Sequence, residues 1–278
     1  MVTLKDVARA AGVSTSTASR VLDDRLPRSR TAAADRVRKV AADLGYVKDP
    51  LASSLRRART STIGVVVPRL TDVVMAIVYE EIAAVATARG LFSVVATAHD
   101  EPKDEASAVT SLVSRRVDGI IRTTARLDAP LPVGLLGSVR EVLTLRADGQ
   151  LSASVGDDDL GGRLATRHLI DLGHRRIALV NGPTYASSAR GRRTGYVAAL
   201  AAAGIALDPD LVIGESFSIE AGAAAARTLL SRPNPPTAVF ATNDNLAIGV
   251  WSVATAMGRR CGRFGTWPRR PCRVRRRA

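Results

Sequence analysis

The sequence contains very little cysteine and no long apolar run. Cys261 and Cys272 are its only cysteines, and both lie in the last twenty of the 278 residues. That usage argues against a disulfide framework and is typical of a protein from a reducing compartment. The N-terminal segment is charged and amphipathic, unlike a secretion signal, and no run reaches membrane-spanning length. We therefore expect a cytoplasmic protein that has no membrane partner.

The sequence also lacks the common signatures of catalysis. It has no glycine pattern of a phosphate-binding loop and no nucleophile elbow. Its histidines, His99, His168 and His174, are scattered along the chain, and His174 in LGHRR is better explained as a turn residue than as part of a site. We expect no enzymatic activity, no cofactor and no bound metal.

Positive charge is concentrated at the two ends of the chain. The net charge of +14 divides into +7 for residues 1–62, −2 for residues 63–258 and +9 for residues 259–278. A near-neutral body joined to a basic N-terminal segment is the pattern of a DNA-binding head on an ordinary globular domain.

The segment Val2–Leu22 has the pattern of a helix-turn-helix. Thr3 and Asp6 form a predicted capping box at the first helix, Gly12 ends that helix, and Ser14 caps the second helix. The inner face of the second helix is apolar and consists of Ala18, Val21 and Leu22. Its outer face carries short hydroxyls and one guanidinium: Thr15, Ser16, Thr17, Ser19 and Arg20. Such groups reach base edges and phosphates in a major groove, so this segment predicts DNA binding.

The rest of the chain divides into a third helix, a linker, a core and a tail. A helix over Ala32–Leu44, capped by Ser29 or Thr31, completes an all-α head at 1–48. Residues 49–61 form a predicted hinge helix or linker, residues 62–258 a core, and residues 259–278 a tail. In the core, predicted strands lie at 63–68, 93–98, 118–124, 176–182 and 237–243. Predicted helices lie at 73–89, 103–116, 160–172, 192–203, 219–230 and 246–256.

Strands that alternate with helices in this way predict a parallel sheet with both faces covered. The rhythm breaks once, through residues 130–156, and then restarts. The core is therefore expected to be an α/β fold of two doubly wound lobes with a cleft between them. Ligands of such folds bind at the carboxyl ends of the strands.

Together these segments closely resemble the lactose-repressor (LacI/GalR) family of bacterial transcription regulators, over about residues 2–258. VTLKDVARAAGVSTSTASRVL is nearly the head signature of that family, and LGY (44–46) and DPLASSL (49–55) resemble its third-helix ending and its hinge helix. RRVDGII (115–121), LGHRRIALVNGP (172–183) and ATNDNLAIG (241–249) resemble segments of its effector-binding core, which is similar to periplasmic binding proteins.

The resemblance implies a transcriptional repressor at the bacterial nucleoid. Such a repressor binds a pseudo-palindromic DNA operator as a homodimer and responds to a small molecule, which we expect to be a sugar or a related metabolite. By the resemblance, Thr15, Ser16 and Arg20 read bases. Thr3, Ser14, Thr17 and Ser19 contact phosphates, and Ala52 and Leu55 of the hinge enter the minor groove. Without that resemblance, Leu55 reads as a surface residue of a linker.

The resemblance also implies a set of effector contacts. They are Asp72, Val74 and Met75 after the first strand, Arg192 at the start of a helix, and Asn243 with Asp244 after a late strand. Arg192 offers a fork of donors and Asn243 both donates and accepts, which suits a polyhydroxylated ligand. Arg192 alternatively reads as a solvated helix residue, and Asp157 and Asp158 either approach the cleft or cap the helix that follows them.

The C-terminal end departs from the family pattern. After Met257 the family continues with a Gly-Phe-Asp-Asp strand and the last crossover between the lobes, whereas this chain reads GRRCGRFGTWPRRPCRVRRRA. We expect this tail to be disordered and the second lobe to be incomplete. The tail is either a basic extension that adds non-specific DNA affinity or an out-of-frame terminus of a G/C-rich gene.

The sequence leaves three candidate functions to compare. The first is an effector-responsive repressor, and its alternative is a truncated or frameshifted regulator that still binds DNA but no longer responds to an effector. A stand-alone solute-binding protein shares the two-lobed core. It would, however, need a secretion signal and no head, and this sequence shows the opposite on both counts.

Overall fold

A computed structural model describes residues 2–23, 27–47 and 59–259 and the backbone of Arg273–Arg275. The chain divides into two units, Met1–Thr60 and Ser61–Ala278. Most of the predicted hinge, including Ala52 and Leu55, lies outside the described residues. Within the part of the chain that is described, no helix is both long and apolar enough to cross a membrane.

The first unit contains three helices around a small apolar core. They are α1 (Leu4–Ala11), α2 (Thr15–Val21) and α3 (Ala32–Asp43). The buried side chains of this core are small: Val7, Ala8, Ala11, Ala18, Val37 and Ala41. Because alanine dominates, the helices approach one another closely and the head stays small.

The helix ends in the head follow the predicted chemistry. The Thr3 hydroxyl accepts from the Asp6 amide while the Asp6 carboxylate accepts from the Thr3 amide, so the capping box at α1 is confirmed. Gly12 ends α1 in the left-handed region with φ 66°. Ser14 caps α2, and Thr31, one of the two predicted candidates, caps α3 by accepting from the Ala34 amide at 3.3 Å.

The second unit contains two sheets with helices on their faces. The first lobe has β1 (Thr62–Val67), α4 (Val73–Ala88), β2 (Phe92–Thr97), α5 (Pro102–Ser114), β3 (Gly119–Arg122), β4 (Arg140–Thr144) and β5 (Ala153–Val155). The second lobe has α6 (Asp158–Asp171), β6 (Ile177–Asn181), α7 (Ser187–Ala202), a 3₁₀ turn (Pro209–Leu211), β7 (Val212–Gly214), α8 (Ile219–Leu230), β8 (Ala238–Ala241) and α9 (Asp244–Ala256). These elements confirm the predicted fold of two parallel-sheet lobes, the second of them small.

The first sheet has the strand order β2-β1-β3-β4-β5, and all of these strands are parallel. At its far edge, β9 (Arg273–Arg275) pairs antiparallel with β5. This short strand differs from the expected tail without regular structure. An edge strand such as β5 offers unpaired backbone groups, and these can bind any extended segment of chain.

The second sheet has the strand order β7-β6-β8 and is also parallel. Its central strand β6 alternates between two cores. Ile177 and Leu179 pack with Tyr196 of α7, whereas Ala178 and Val180 pack with helices α8 and α9. Helices therefore cover both faces, which is the doubly wound arrangement.

One strand of the first sheet buries a charged group that the apolar pattern does not predict. Arg122 ends β3 and is 2% exposed. Its guanidinium donates to Glu105 of α5 at 2.6 Å and also to Glu141 of β4, and Thr124 donates to the same Glu105. Burial lowers the Arg122 pKa, but the hydrogen bonds and charges of the two glutamates outweigh it and raise the pKa above its ordinary value. The guanidinium therefore stays charged inside the lobe.

Candidate DNA-binding head and effector cleft

The second helix of the head exposes the face on which the predicted DNA contacts lie. Thr15, Ser16, Thr17 and Arg20 are exposed, and Ser19 is half-buried. Ala18 on the opposite side is fully buried against α1 and α3. The amphipathic pattern of α2 therefore fixes which side chains face solvent. The exposed set offers hydroxyl and guanidinium groups, which suit base edges and phosphates.

Hydroxyl groups are linked to one another at the start of α2. The Ser14 Oγ accepts from the Thr17 amide at 3.2 Å and lies 2.8 Å from the Ser16 Oγ and 2.9 Å from the Thr17 Oγ1. The hydroxyl of Thr3 is likewise engaged, because it donates to the Asp6 carboxylate at 2.6 Å. These bonds fix the orientation of the hydroxyl side chains at the start of α1 and α2.

The effector cleft is predicted at the carboxyl ends of the parallel strands. Polar, charged or aromatic residues follow most of them: Asp72 after β1, Asp100 after β2, Arg126 after β3, Arg146 after β4, Tyr185 after β6, Phe217 after β7 and Asn243 after β8. Ligands of doubly wound sheets bind at these ends. Of the predicted effector residues, Asp72, Val74, Met75, Asn243 and Asp244 lie at these ends, whereas Arg192 lies within α7.

Arg192 is tied into the second lobe by two hydrogen bonds. Its Nε donates to Asp158 Oδ1 at 2.9 Å, and its Nη1 donates to the carbonyl of Thr242 at 2.6 Å. Burial raises the pKa of the Asp158 carboxyl, while the charge and hydrogen bond of Arg192 act in the opposite direction. The neighbouring Asp157 instead caps α6 by accepting from the Leu160 amide at 3.0 Å. The two aspartates therefore have different roles, one in a cap and one in an ion pair.

Asn243 and Asp72 are helix caps that also connect elements around the cleft. The Asn243 Oδ1 accepts from the Leu246 amide at 2.9 Å, and its Nδ2 donates to the carbonyl of Phe217 at 3.4 Å. One oxygen of Asp72 accepts from the Val74 amide at 2.9 Å, and the other accepts from the Asn245 side chain, across the two lobes, at 3.2 Å. The structure thus brings these predicted residues to the rim where the lobes meet.

The remaining predicted contacts lie at the first turns of two helices. Val74 and Met75 belong to the first turn of α4, where Val74 is 39% exposed and Met75 is half-buried. Asp244 is the first residue of α9 and is exposed. None of the three makes a side-chain bond that would compete with a ligand among the contacts resolved in the described residues.

Several residues near the cleft are absent from the sequence-based set. Phe217 packs so closely over Gly182 that a Cβ there would overlap its ring, and Asn245 reaches across to Asp72. Arg126, Arg146 and Tyr185 meet between the lobes. Arg126 and Tyr185 lie four residues after the ends of β3 and β6, two strands that the sequence predicts, and that position is a signal that the sequence contains. Phe217 follows β7, a strand too short to be recognised. Nowhere in the described ranges do three or more His, Cys, Asp or Glu side chains cluster as metal ligands would.

Comparison with known families identifies both units. The family model "Bacterial regulatory proteins, lacI family" matches residues 3–49. The model "Periplasmic binding proteins and sugar binding domain of LacI family" matches residues 60–263. The chain belongs to the LacI family. The predicted helix-turn-helix head and two-lobed core are thereby confirmed as the two parts of a LacI-family regulator.

Similar curated LacI-family proteins are transcriptional repressors. The ribose operon repressor of Haemophilus influenzae is 32% identical over 269 residues, covering 94% of this chain and 79% of the relative. The repressor CytR of Escherichia coli K12 is 31% identical, covering 92% and 76%. The ribose operon repressor of Escherichia coli K12 is 34% identical, covering 91% and 78%.

Solved LacI-family structures share the fold. The lac repressor dimer bound to operator and the anti-inducer ONPF matches with a TM-score of 0.79 and 27% identity, covering 93% of this chain and 79% of the other. A complex of the transcriptional regulator CelR with cellobiose matches with a TM-score of 0.65 and 32% identity, covering 94% and 80%.

Proposed function

We propose that this chain is a transcriptional repressor that binds a pseudo-palindromic operator as a dimer and responds to a sugar in the cleft of its core. The observation that carries the proposal is the pairing, in one chain, of an exposed hydroxyl-rich α2 with a two-lobed sugar-binding core. The site of action is the bacterial cytoplasm, at the nucleoid. Its curated relatives are repressors, and we propose that this chain likewise has no enzymatic activity.

The DNA-reading part of the proposal rests on α2. Thr15, Ser16 and Arg20 are exposed on one side of that helix and would face the bases of a major groove. Positioning on the backbone is assigned to Thr3, Ser14, Thr17 and Ser19. In the hinge, Ala52 and Leu55 would enter the minor groove at the operator centre, where an apolar wedge can kink the duplex.

The effector part of the proposal rests on the chemistry of the cleft. Arg192 is already paired with Asp158, so it offers donors without adding a free positive charge. Asp72 and Asn243 add acceptors and donors, and the ring of Phe217 adds an apolar face. That mixture suits a neutral, polyhydroxylated molecule with one apolar side, such as a sugar. We propose Val74, Met75 and Asp244 as the remaining contacts around it.

The dimer part of the proposal rests on an apolar helix face. On α4, Val73 is 67% exposed, Ile77 is 46% exposed and Val85 is 50% exposed. Ile77 lies four residues after Val73 and Val85 lies eight residues after Ile77, so at about 100° per residue the three side chains fall within about 120° of the helix circumference and form an exposed apolar face. A second copy of the same chain is its proposed occupant, since the similar lac repressor is a dimer on its operator.

Operator binding by Arg20 is tested by substitution. We first select preferred duplexes from a random DNA library and then titrate them in a mobility-shift assay. Arg20→Ala is expected to weaken binding by about tenfold or more, because a bidentate base contact contributes about 1–3 kcal/mol. Arg163→Ala removes an exposed arginine of the core and serves as the control. Equal affinities of wild type and Arg20→Ala would contradict the assignment of α2 as the reading helix.

Sugar binding by Arg192 is tested with a matched neighbour. Thermal unfolding is followed with D-ribose, cellobiose and lactose, and the sugar that shifts the midpoint is titrated calorimetrically. Arg192→Met is expected to weaken that binding by about tenfold or more, because it leaves the half-buried Asp158 unpaired and removes donors. Arg193→Met changes an exposed neighbour and should bind normally. A cleft that binds none of a broad sugar panel while operator binding persists would contradict only the effector part.

A further inference from the structure

A cation–π contact joins the two lobes beside the proposed effector cleft. Arg126 follows β3 of the first lobe, and Tyr185 follows β6 of the second lobe. The guanidinium carbon of Arg126 lies 3.4 Å from the centroid of the Tyr185 ring. A contact this short places the cation directly on the ring face, where the attraction is strongest.

Arg126 is held rigidly for this contact. Its Nε and Nη2 donate to the two carboxylate oxygens of Asp128, both at 2.9 Å, and its Nη1 donates to the backbone carbonyl of Asp100 at 2.9 Å. Burial lowers the Arg126 pKa, but the hydrogen bond and charge of Asp128 outweigh it and raise the pKa. The guanidinium is therefore charged and fixed in orientation before it meets the ring.

A second arginine approaches the same ring. Arg146 is 5% exposed and forms a bidentate ion pair with Asp100 at 2.7 and 3.3 Å. Its guanidinium carbon lies 5.9 Å from the Tyr185 centroid and 5.5 Å from the Phe217 centroid. Asp100 (φ 61°) and Leu145 (φ 64°) both lie in the left-handed region. Strain of this kind persists only where surrounding contacts enforce it, and it commonly accompanies function.

Two backbone amides of the first lobe also depend on the lobes staying together. The Leu127 amide donates to the carbonyl of Tyr185 at 2.9 Å, and the Ala147 amide donates to the Ser187 hydroxyl at 2.8 Å. Both donors follow directly after the arginines that approach Tyr185. Opening of the cleft would expose both amides to water at once, so each reports on the contact between the lobes.

We propose that Arg126, Arg146 and Tyr185 form an interlobe clasp that holds the two lobes together. The contact between the lobes is a property of the core alone. A role of the clasp in regulation, by contrast, rests on the proposed effector function. A sugar that binds between the lobes would enter when these contacts open transiently. The clasp thereby sets both the rate of effector entry and the population of the closed state.

The experiment is hydrogen exchange with mass spectrometry on the full chain, without DNA and without sugar. The test variants are Tyr185→Leu and Arg126→Met, and the conservative variant is Tyr185→Phe, which keeps the ring face. Arg163→Met is the matched control, since it removes an exposed arginine whose partner Asp159 lies in the same helix. Peptides that contain the Leu127 and Ala147 amides report on the clasp, and peptides from β6 report on folding of the second lobe.

Support for the clasp is a fall of about tenfold or more in protection at Leu127 and Ala147 in both test variants. Protection should change by less than about twofold in Tyr185→Phe and Arg163→Met, and β6 should exchange as in the wild type. Unchanged protection at Leu127 and Ala147 would overturn the proposal. Equal loss at β6 would overturn it as well, because the residues would then support folding instead of closure. Operator and sugar binding play no part in this measurement, so its failure is distinct from failure of the proposed function.

Discussion

A single buried hydroxyl couples the stability of the second lobe to alkaline pH. Tyr196 of α7 is 1% exposed, and its hydroxyl donates to the carbonyl of Ile177 at 2.8 Å. Burial, with a smaller contribution from the nearby charge of Asp208, raises the pKa of Tyr196 to about 12. In the unfolded chain the same hydroxyl ionises near pH 10. The folded state therefore keeps a proton that the unfolded state releases.

Tyr196 makes the unfolding free energy fall at high pH. Its contribution is complete below pH 10 and is lost as the pH rises toward 12, because the unfolded state then binds fewer protons than the native state. A difference of about two pKa units corresponds to about 3 kcal/mol. Denaturant unfolding between pH 8 and 11.5 should show this loss in the wild type, while Tyr196→Phe should show a flatter profile and a lower stability at pH 8. Parallel profiles for the two proteins would contradict the prediction.

Among the elements, the pair α6 and α7 is held at unusually short distance by glycines. A Cβ at Gly162 of α6 would overlap the backbone carbonyl of Arg192, and one at Gly195 of α7 would overlap the carbonyl of Asp159. Gly161, next to Gly162, has no atom within 4 Å of such a Cβ. The helices therefore touch along one face only, and that contact positions the backbone of Arg192.

Adjacent glycines should respond in opposite ways to alanine. Gly162→Ala is expected to destabilise the core by about 1–3 kcal/mol, since overpacking against backbone forces the helices apart. Sugar affinity should fall with it, because Arg192 moves. Gly161→Ala should leave stability unchanged or raise it by up to about 1 kcal/mol, as alanine favours a helix. Urea denaturation of both variants provides the measurement, and a stable Gly162→Ala protein would show that the helices have room to adjust.

Most of the elements follow from local patterns in the sequence. The head caps at Thr3 and Ser14 and the apolar strands β1, β2 and β6 have short-range signals, and the structure confirms them. Strands β4, β5 and β7 have three to five residues and only partly buried patterns, so the sequence predicts no regular structure there. Helix α7 begins five residues before its predicted start at Arg192, because Ser187–Gly191 offers no apolar periodicity.

The candidate site likewise contains residues that the sequence predicts and residues that it does not. Arg192 and Asn243 are predictable because they lie in motifs that resemble a known family. The partners they acquire are not, since Asp158 lies 34 residues from Arg192 and Tyr185 lies in the other lobe from Arg126. Buried Arg122 is a further case, because only folding brings Glu105 and Glu141 to it. Interactions between distant segments leave no periodic trace in the sequence.

At the scale of the whole molecule, positive charge is concentrated outside the near-neutral core. The net charge of residues 259–278 is +9, against −2 for residues 63–258. Each arginine that neutralises a phosphate adds about 0.9 to the slope of log affinity against log salt. The tail is therefore expected to strengthen binding to any DNA without adding preference for a sequence.

The contribution of the tail is tested by changing four of its arginines, Arg269, Arg270, Arg276 and Arg277, to glutamine. We expect weaker binding to random DNA and a smaller salt slope, with the preference for operator over random DNA retained. A control variant carries the same four charge changes on exposed core residues, Arg89, Arg115, Arg163 and Arg193, and should bind as the wild type does. Loss of operator preference in the tail variant would show that the tail reads sequence.

The close approach of α6 and α7 has a consequence for directed evolution of this core as a biosensor. A library that varies Val74, Met75 and Asp244 changes side chains at the first turns of α4 and α9, away from the contact between α6 and α7. A library that includes Gly162 or Gly195 would discard most of its members to misfolding, because nothing larger than hydrogen fits there. New ligand specificities should therefore come from the first group of positions, screened in a background where the two glycines are left untouched.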